Sequence, residues 1–190
     1  MKGKKDIFIN YRRLGGEWLA YCVYLRLIEA GYSVFLDVES LRGGTFEKEI
    51  LKQISACKDF VMILPPAALD RCIEDEDLFY KEIKTAMEMG KNVVPIVMEG
   101  FVFPSEQAFT KCGLQGRYEL LARAVQKKNG YQIDGISHYE GMLNHLQKHL
   151  LESYPGQIKK TDDTISLAQI FQDMQPKEKK IRPEYELLPN

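Results

Sequence analysis

Apolar residues along the chain follow two rhythms that take turns. Residues 6–11, Asp-Ile-Phe-Ile-Asn-Tyr, are β-branched and aromatic and predict a first strand. Arg12 to Gly16 is a polar, glycine-bearing loop. Between Glu17 and Ala30 the positions Trp18, Leu19, Cys22, Val23, Leu25 and Leu27 suit a helix, which Gly31 ends. Ser33–Leu36 is a short second strand, Asp37–Thr45 a loop containing Gly43-Gly44, and Phe46–Ala56 a second helix. Asp59–Leu64 is a third strand stopped by Pro65-Pro66. A third helix is predicted from about Glu74 to Met89, closed by Gly90, and Asn92–Val97 is a fourth strand. Beyond Phe101 the pattern weakens to a helix within 113–128, a last strand at Tyr131–Ile136 and a closing helix at His138–Leu151. Strand and helix alternate with short connections, which predicts a parallel sheet covered by helices on both faces.

In such sheets ligands bind at the carboxyl ends of the strands. Those ends are Tyr11-Arg12-Arg13, Asp37 to Phe46, Pro65 to Cys72, and Glu99 onward, where polar residues and glycines concentrate.

Composition narrows the function classes. The 190 residues are 45% hydrophobic and 28% charged, ordinary for a globular protein. With 26 basic and 27 acidic side chains the net charge is -1, so nucleic acid is not an expected partner. No apolar run approaches the roughly 20 residues that span a bilayer, so no membrane partner is expected. The basic start, Met1 to Lys5, is followed by an apolar stretch broken at Asn10 and Arg12, unlike a signal peptide. Cys22, Cys57, Cys72 and Cys112 show no C-x-x-C spacing and read as reduced thiols of a cytoplasmic protein. From 155 to 190 the chain turns polar, with one apolar cluster at Ile165–Met174, and reads as an appendage with one short helix.

Several chemistries are absent by motif. No G-x-G-x-x-G follows the first strand and no G-x-x-x-x-G-K-[ST] occurs. Receiver domains share this alternation, yet the acids they need at strand ends are replaced by Asn10-Tyr11-Arg12 and Leu64-Pro65-Pro66. His145 and His149 at i, i+4, with His138 before them, lack a carboxylate partner and read as solvated residues rather than metal ligands. Glu82 stands apart. It falls mid-helix beside the apolar stripe of Ile83, Ala86 and Met87, near the strand ends, and is either a solvated flank or a functional acid.

Asp6-Ile-Phe-Ile-Asn-Tyr-Arg-Arg13, Ser33-Val-Phe-Leu-Asp-Val-Glu39, Leu41-Arg-Gly-Gly-Thr-Phe46, Ala68-Leu-Asp-Arg-Cys72, and Lys81-Glu-Ile83 with Gly90-Lys-Asn-Val-Val-Pro-Ile96 together resemble a TIR domain, in family order and at family spacing. The resemblance covers about residues 5–151, leaving 152–190 as the appendage or linker. It is similar to the catalytic branch, which includes the axon-degeneration NAD hydrolase and bacterial anti-phage proteins. It implies a flavodoxin-like three-layer α/β fold with a central five-stranded parallel sheet.

The same resemblance implies cleavage of the nicotinamide–ribose bond of NAD+, with NAD+ as substrate, no cofactor and no metal. Glu82 falls where the family's catalytic glutamate lies. Arg12 and Arg13 match the loop after the first strand, where a guanidinium fork suits pyrophosphate or a structural salt bridge. Asp37 and Phe46 flank a loop that in family assemblies reaches a neighbouring protomer's site, and Phe46 either stacks on a base or staples the second helix. Arg42, Gly43 and Gly44 belong to that assembly loop. The implied partners are other copies in head-to-tail assembly and a sensor or effector. Three residues depart from the family: Leu78 stands where Trp is frequent, Arg42 where a relative has an acid, and Pro65 where serine is common. These leave the carboxylate in place and bear on substrate orientation, rate and product. Two alternatives stay open, a non-catalytic TIR adaptor and an enzyme like the nucleoside deoxyribosyltransferases.

Overall fold

The computed structural model describes residues 6–36, 44–126, 130–133 and 139–150, with the backbone alone for 44–47 and 139–140. All lie within the first of two compact units, Met1–Ile158. The appendage predicted at 152–190 lies outside the described residues, as do Asp37, Arg42 and Gly43 of the predicted loop.

Five parallel strands, β1 (Ile7–Tyr11), β2 (Val34–Leu36), β3 (Asp59–Leu64), β4 (Asn92–Met98) and β5 (Tyr131–Ile133), stand in the order β2-β1-β3-β4-β5. Between them run α1 (Arg13–Glu29), α2 (Gly44–Ala56), α3 (Leu78–Glu88), α4 (Glu106–Thr110) and α5 (Gln115–Val125), and α6 (Tyr139–His149) closes the domain. This is the doubly wound, flavodoxin-like order that the resemblance to the TIR family implies. The chain starts at β1, moves outward to β2, then crosses to β3 on the other side. That reversal leaves a crevice at the carboxyl ends of β1 and β3.

Alternation along β1 sends Ile7 and Ile9 to one face and Phe8 to the other. Ile7 and Ile9 pack with Leu19, Val23, Val61, Ile63 and Met142, which places α1 and α6 on that face. Phe8 packs with Ile50, Phe60, Ile83, Phe109 and Leu121, beneath α2 to α5. Its ring stacks on Phe60 at 5.4 Å and on Phe35 at 5.1 Å. Burying each such side chain contributes about 1.5–3 kcal/mol, so two covered faces hold the sheet without disulfides. Among the described residues no helix is long and apolar enough to cross a membrane.

Two expectations need correction. The third helix does not begin at Glu74. A short 3-10 turn, Asp70–Ile73, comes first, and α3 starts only at Leu78. Asp77 caps it by accepting hydrogen bonds from the backbone N–H of Phe79 at 2.9 Å and of Tyr80 at 3.4 Å. The acids before Leu78 therefore precede the helix instead of forming its first turn. The short helix α4 was not foreseen, because five residues carry too little periodicity to read.

The amino ends of the strands hold a different buried acid. Asp59 accepts a hydrogen bond from Asn92 Nδ2 at 2.6 Å, and the same amide donates to the His149 carbonyl at 2.9 Å. This ties β3, β4 and α6 at the end opposite the crevice.

Candidate active site

A cavity of about 530 Å³ occupies the crevice. Its walls come from β1 (Phe8, Ile9, Tyr11), the following loop (Arg12, Arg13, Leu14), the segment after β3 (Pro66 to Ala68, with Arg71), and Glu76 to Phe79 with Glu82. The pairing of β1 with β3 thus gathers residues separated by more than sixty positions.

Local backbone explains the shape. After β1 the chain cannot turn directly into a helix. Leu14 is non-helical, with ψ at 112°, and Gly15 takes a left-handed φ of 82°, so regular winding starts beyond it. A Cβ at Gly15 would lie 3.2 Å from Pro65 Cβ, so the glycine also lets this loop lie against the segment after β3. Across the crevice Ala67 holds a φ of 59°, a conformation that costs a non-glycine residue about 1–3 kcal/mol and tends to occur where a loop is shaped for a ligand.

Arg12 fastens the two walls together. Its Nε donates to the Ala68 carbonyl at 2.7 Å, Nη1 donates to Asp77 Oδ1 at 2.8 Å, and Nη2 pairs with Asp77 Oδ2. The guanidinium also lies 4.4 Å over the Phe79 ring. Arg117, from α5, acts on the opposite flank. It donates to the carbonyls of Cys72 at 2.9 Å and Glu74 at 3.1 Å, and lies 4.3 Å over Tyr80. Two arginines therefore hold the entry to α3 from either side.

That anchoring presents Glu82 one turn into α3. The residue is 8% exposed, lines the cavity, and accepts a hydrogen bond from Asn10 Nδ2 at 2.6 Å. Asn10 shares the parity of Phe8 along β1 and so faces α3. Leu78 sits one helical turn before Glu82 on the same wall. Arg13 is exposed at the cavity.

The structure thus brings Arg12, Arg13, Leu78 and Glu82 to one cavity. Gly44 opens α2, and Phe46 lies in its first turn with its side chain outside the described residues. Asn10 and Asp77 were not singled out from sequence. Asn10 carried a signal, an amide inside an otherwise apolar and aromatic strand. Asp77 carried another, the last acid before a run of helical apolar positions.

The remaining titratable clusters lie elsewhere. His145 and His149 rings are 4.2 Å apart, and desolvation, with His145 and Lys148 nearby, lowers the His149 pKa. Among the described residues no three His, Cys, Asp or Glu side chains are grouped to hold a metal. Burial pushes the Cys72 thiol up to about 12 and the Cys57 thiol up to about 11, so both stay protonated at neutral pH.

Known proteins are similar to this chain in sequence. The NAD(+) hydrolase tir-1 of Caenorhabditis elegans is 43% identical over 105 residues, covering 54% of this chain and 11% of the relative. The NAD(+) hydrolase sarm1 of Drosophila melanogaster is 41% identical over 102 residues, covering 52% and 8%. The NAD(+) hydrolase SARM1 of Danio rerio is 40% identical over 102 residues, covering 52% and 14%. The chain thus spans about a tenth of the length of these curated relatives. The family described as the TIR domain matches residues 7–125, which run from β1 to the end of α5. With that match across more than half its length, the chain belongs to the TIR domain family.

Proposed function

We propose that this chain is an NAD+ nucleosidase that cleaves the nicotinamide–ribose bond with Glu82 as its catalytic carboxylate. The observation that carries the reading is a buried glutamate on the wall of a cavity at the strand-order reversal. It occurs in a chain at least 40% identical over about a hundred residues to proteins named NAD(+) hydrolases.

The chemistry asks little beyond that group. Nicotinamide departs from a cationic ring as a neutral molecule, taking the bonding electron pair, so no general acid is required. Positive charge develops on the ribose, and the Glu82 carboxylate stabilises it, as carboxylates do for oxocarbenium-like centres in glycoside hydrolysis. Water then adds at the ribose carbon and releases a proton, giving ADP-ribose. Attack by an adenine nitrogen instead gives a cyclic ADP-ribose.

Arg13, exposed at the cavity, meets the pyrophosphate. Arg12, gripped by Asp77, holds the site's walls. Leu78 supplies an apolar wall for a ring of the substrate. Asp37, Arg42 and Gly43, with Gly44 and Phe46 at the start of α2, form the segment through which copies assemble head to tail, a second protomer completing the site. We place the activity in cytoplasmic immune or anti-phage signalling, by NAD+ depletion or a nucleotide messenger, with 5–151 as the catalytic domain and 152–190 as its appendage.

Parallel assays on NAD+ and on a deoxynucleoside with free base discriminate the reaction classes. Nicotinamide release without base exchange supports this reading. Base exchange on the deoxynucleoside overturns it.

A further inference from the structure

We propose that Asn10 is a positioning residue for Glu82, an amide on β1 that keeps the carboxylate ionised and aimed while never touching substrate. The inference rests on the assignment of Glu82 as the catalytic carboxylate.

Three observations carry it. Glu82 lines the cavity and Asn10 does not, so the amide stands behind the carboxylate. Asn10 is 1% exposed and its Nδ2 donates to Glu82 Oε2 at 2.6 Å, a close contact in which the amide N–H meets the carboxylate directly. The other end of the amide, Oδ1, is buried and meets no hydrogen-bond donor among the described residues. An apolar side chain would cover this spot without leaving that oxygen unsatisfied. The fold keeps the amide, turned so that its N–H groups face the acid. An amide N–H can only donate here, so it stabilises the ionised carboxylate over the protonated one.

The charges around Glu82 are mixed. Arg12 and Arg13 from the loop after β1, Arg71 from the segment after β3, and Glu76 and Asp77 from ahead of α3 line the same cavity. Arg12 and Asp77 neutralise each other. From α5, Arg117 lies over Tyr80, and on α2 the described charged side chains, Lys48, Glu49 and Lys52, are exposed. β4 carries no charged side chain. Asn10 is a neutral group placed directly against the carboxylate, and its replacement by an acid changes the charge balance at hydrogen-bond range.

The experiment compares the full chain with Asn10→Leu, Asn10→Ser and Asn10→Asp, each checked for folding by thermal melting. With NAD+, Asn10→Leu lowers kcat about tenfold or more while KM stays within about twofold, because the amide acts on the developing charge and not on binding. Asn10→Ser, which restores a donor, recovers part of that loss. Asn10→Asp moves the acidic limb of the pH–rate profile to higher pH by about one unit or more, because two carboxyls at hydrogen-bond distance share a proton. A folded Asn10→Leu with wild-type kcat and an unmoved profile in Asn10→Asp overturns the proposal, as does a rise in KM alone.

A second readout needs neither turnover nor a folded variant of Asn10. In ¹⁵N NMR of the wild type, the Asn10 side-chain amide signals shift in one step as Glu82 titrates, and that step is absent in Glu82→Gln. Amide signals that ignore this titration overturn the proposal even in an active enzyme. Amide signals that follow it in a chain without NAD+ turnover support the Asn10–Glu82 coupling while the functional reading fails.

Discussion

Arg12 and Asp77 lie 65 residues apart in the chain and meet as a two-pronged ion pair in the wall of the cavity. The same Asp77 carboxylate caps α3, and the same Arg12 side chain holds the Ala68 carbonyl. One contact therefore fixes the end of β1, the segment after β3 and the start of the helix that carries Glu82.

Removing Asp77 takes away a helix cap and leaves a largely buried guanidinium without its partner. Asp77→Ala should lower stability by about 3–5 kcal/mol in denaturant unfolding, the range for breaking a buried pair from one side. Asp77→Asn keeps a capping oxygen and should lose less. A loss under about 1 kcal/mol for Asp77→Ala would show that the clasp does not organise the site.

Gly15 tests the loop geometry. Gly15→Ala meets a left-handed φ of 82° and the Pro65 side chain at 3.2 Å, and should cost about 1–2 kcal/mol for the backbone alone. Adding Pro65→Gly, which removes the Cβ that the new methyl meets, should recover only the part due to the contact. Full recovery in the double variant would assign the whole cost to the proline.

The buried thiols give a pH signature. Cys72 and Cys57 have an ordinary value of 9.0 and are pushed up to about 12 and about 11 in the fold, chiefly by burial. Between those limits the unfolded chain binds fewer protons than the folded one, so stability falls as pH rises. Their contribution is fully present below pH 9.0 and is lost toward pH 11 to 12. Cys72→Ala should flatten the decline of stability between about pH 9 and pH 11. An aromatic disulfide reagent at neutral pH should label exposed Cys112 readily, half-buried Cys22 more slowly, and Cys57 and Cys72 only on unfolding. Fast labelling of Cys72 in the native chain would contradict its burial.

Self-assembly predicts a concentration effect. NAD+ turnover per mole should climb steeply with protein concentration or crowding if, as proposed, a second copy completes the site. A flat specific activity would remove assembly from the account.

The sheet was legible because its strands are short apolar runs punctuated by Gly31, Pro65 and Gly90, and its helices keep a 3.6-residue period. Glu82 was legible as a carboxylate beside a buried stripe. Less was legible of how the site is held. The acids from Glu74 to Asp77 share one composition, yet only Asp77 is turned inward, because Arg12 arrives from 65 positions away. Arg12 and Arg13 are adjacent and identical in type, but one is locked in the wall and the other exposed. Asn10 gains its meaning only when β1 and α3 pack. Contacts between distant segments separate these look-alike residues, and local pattern contains no term for them.

The central claim is that the Glu82 carboxylate breaks the nicotinamide–ribose bond. The most direct measurement follows NAD+ loss and nicotinamide release by chromatography, at high protein concentration, for the wild type and Glu82→Gln. The account predicts turnover in the wild type and a loss of about a hundredfold or more in Glu82→Gln, which keeps the side chain's shape and removes its charge. Equal rates in the two proteins, or no turnover in either even under crowding, would contradict it.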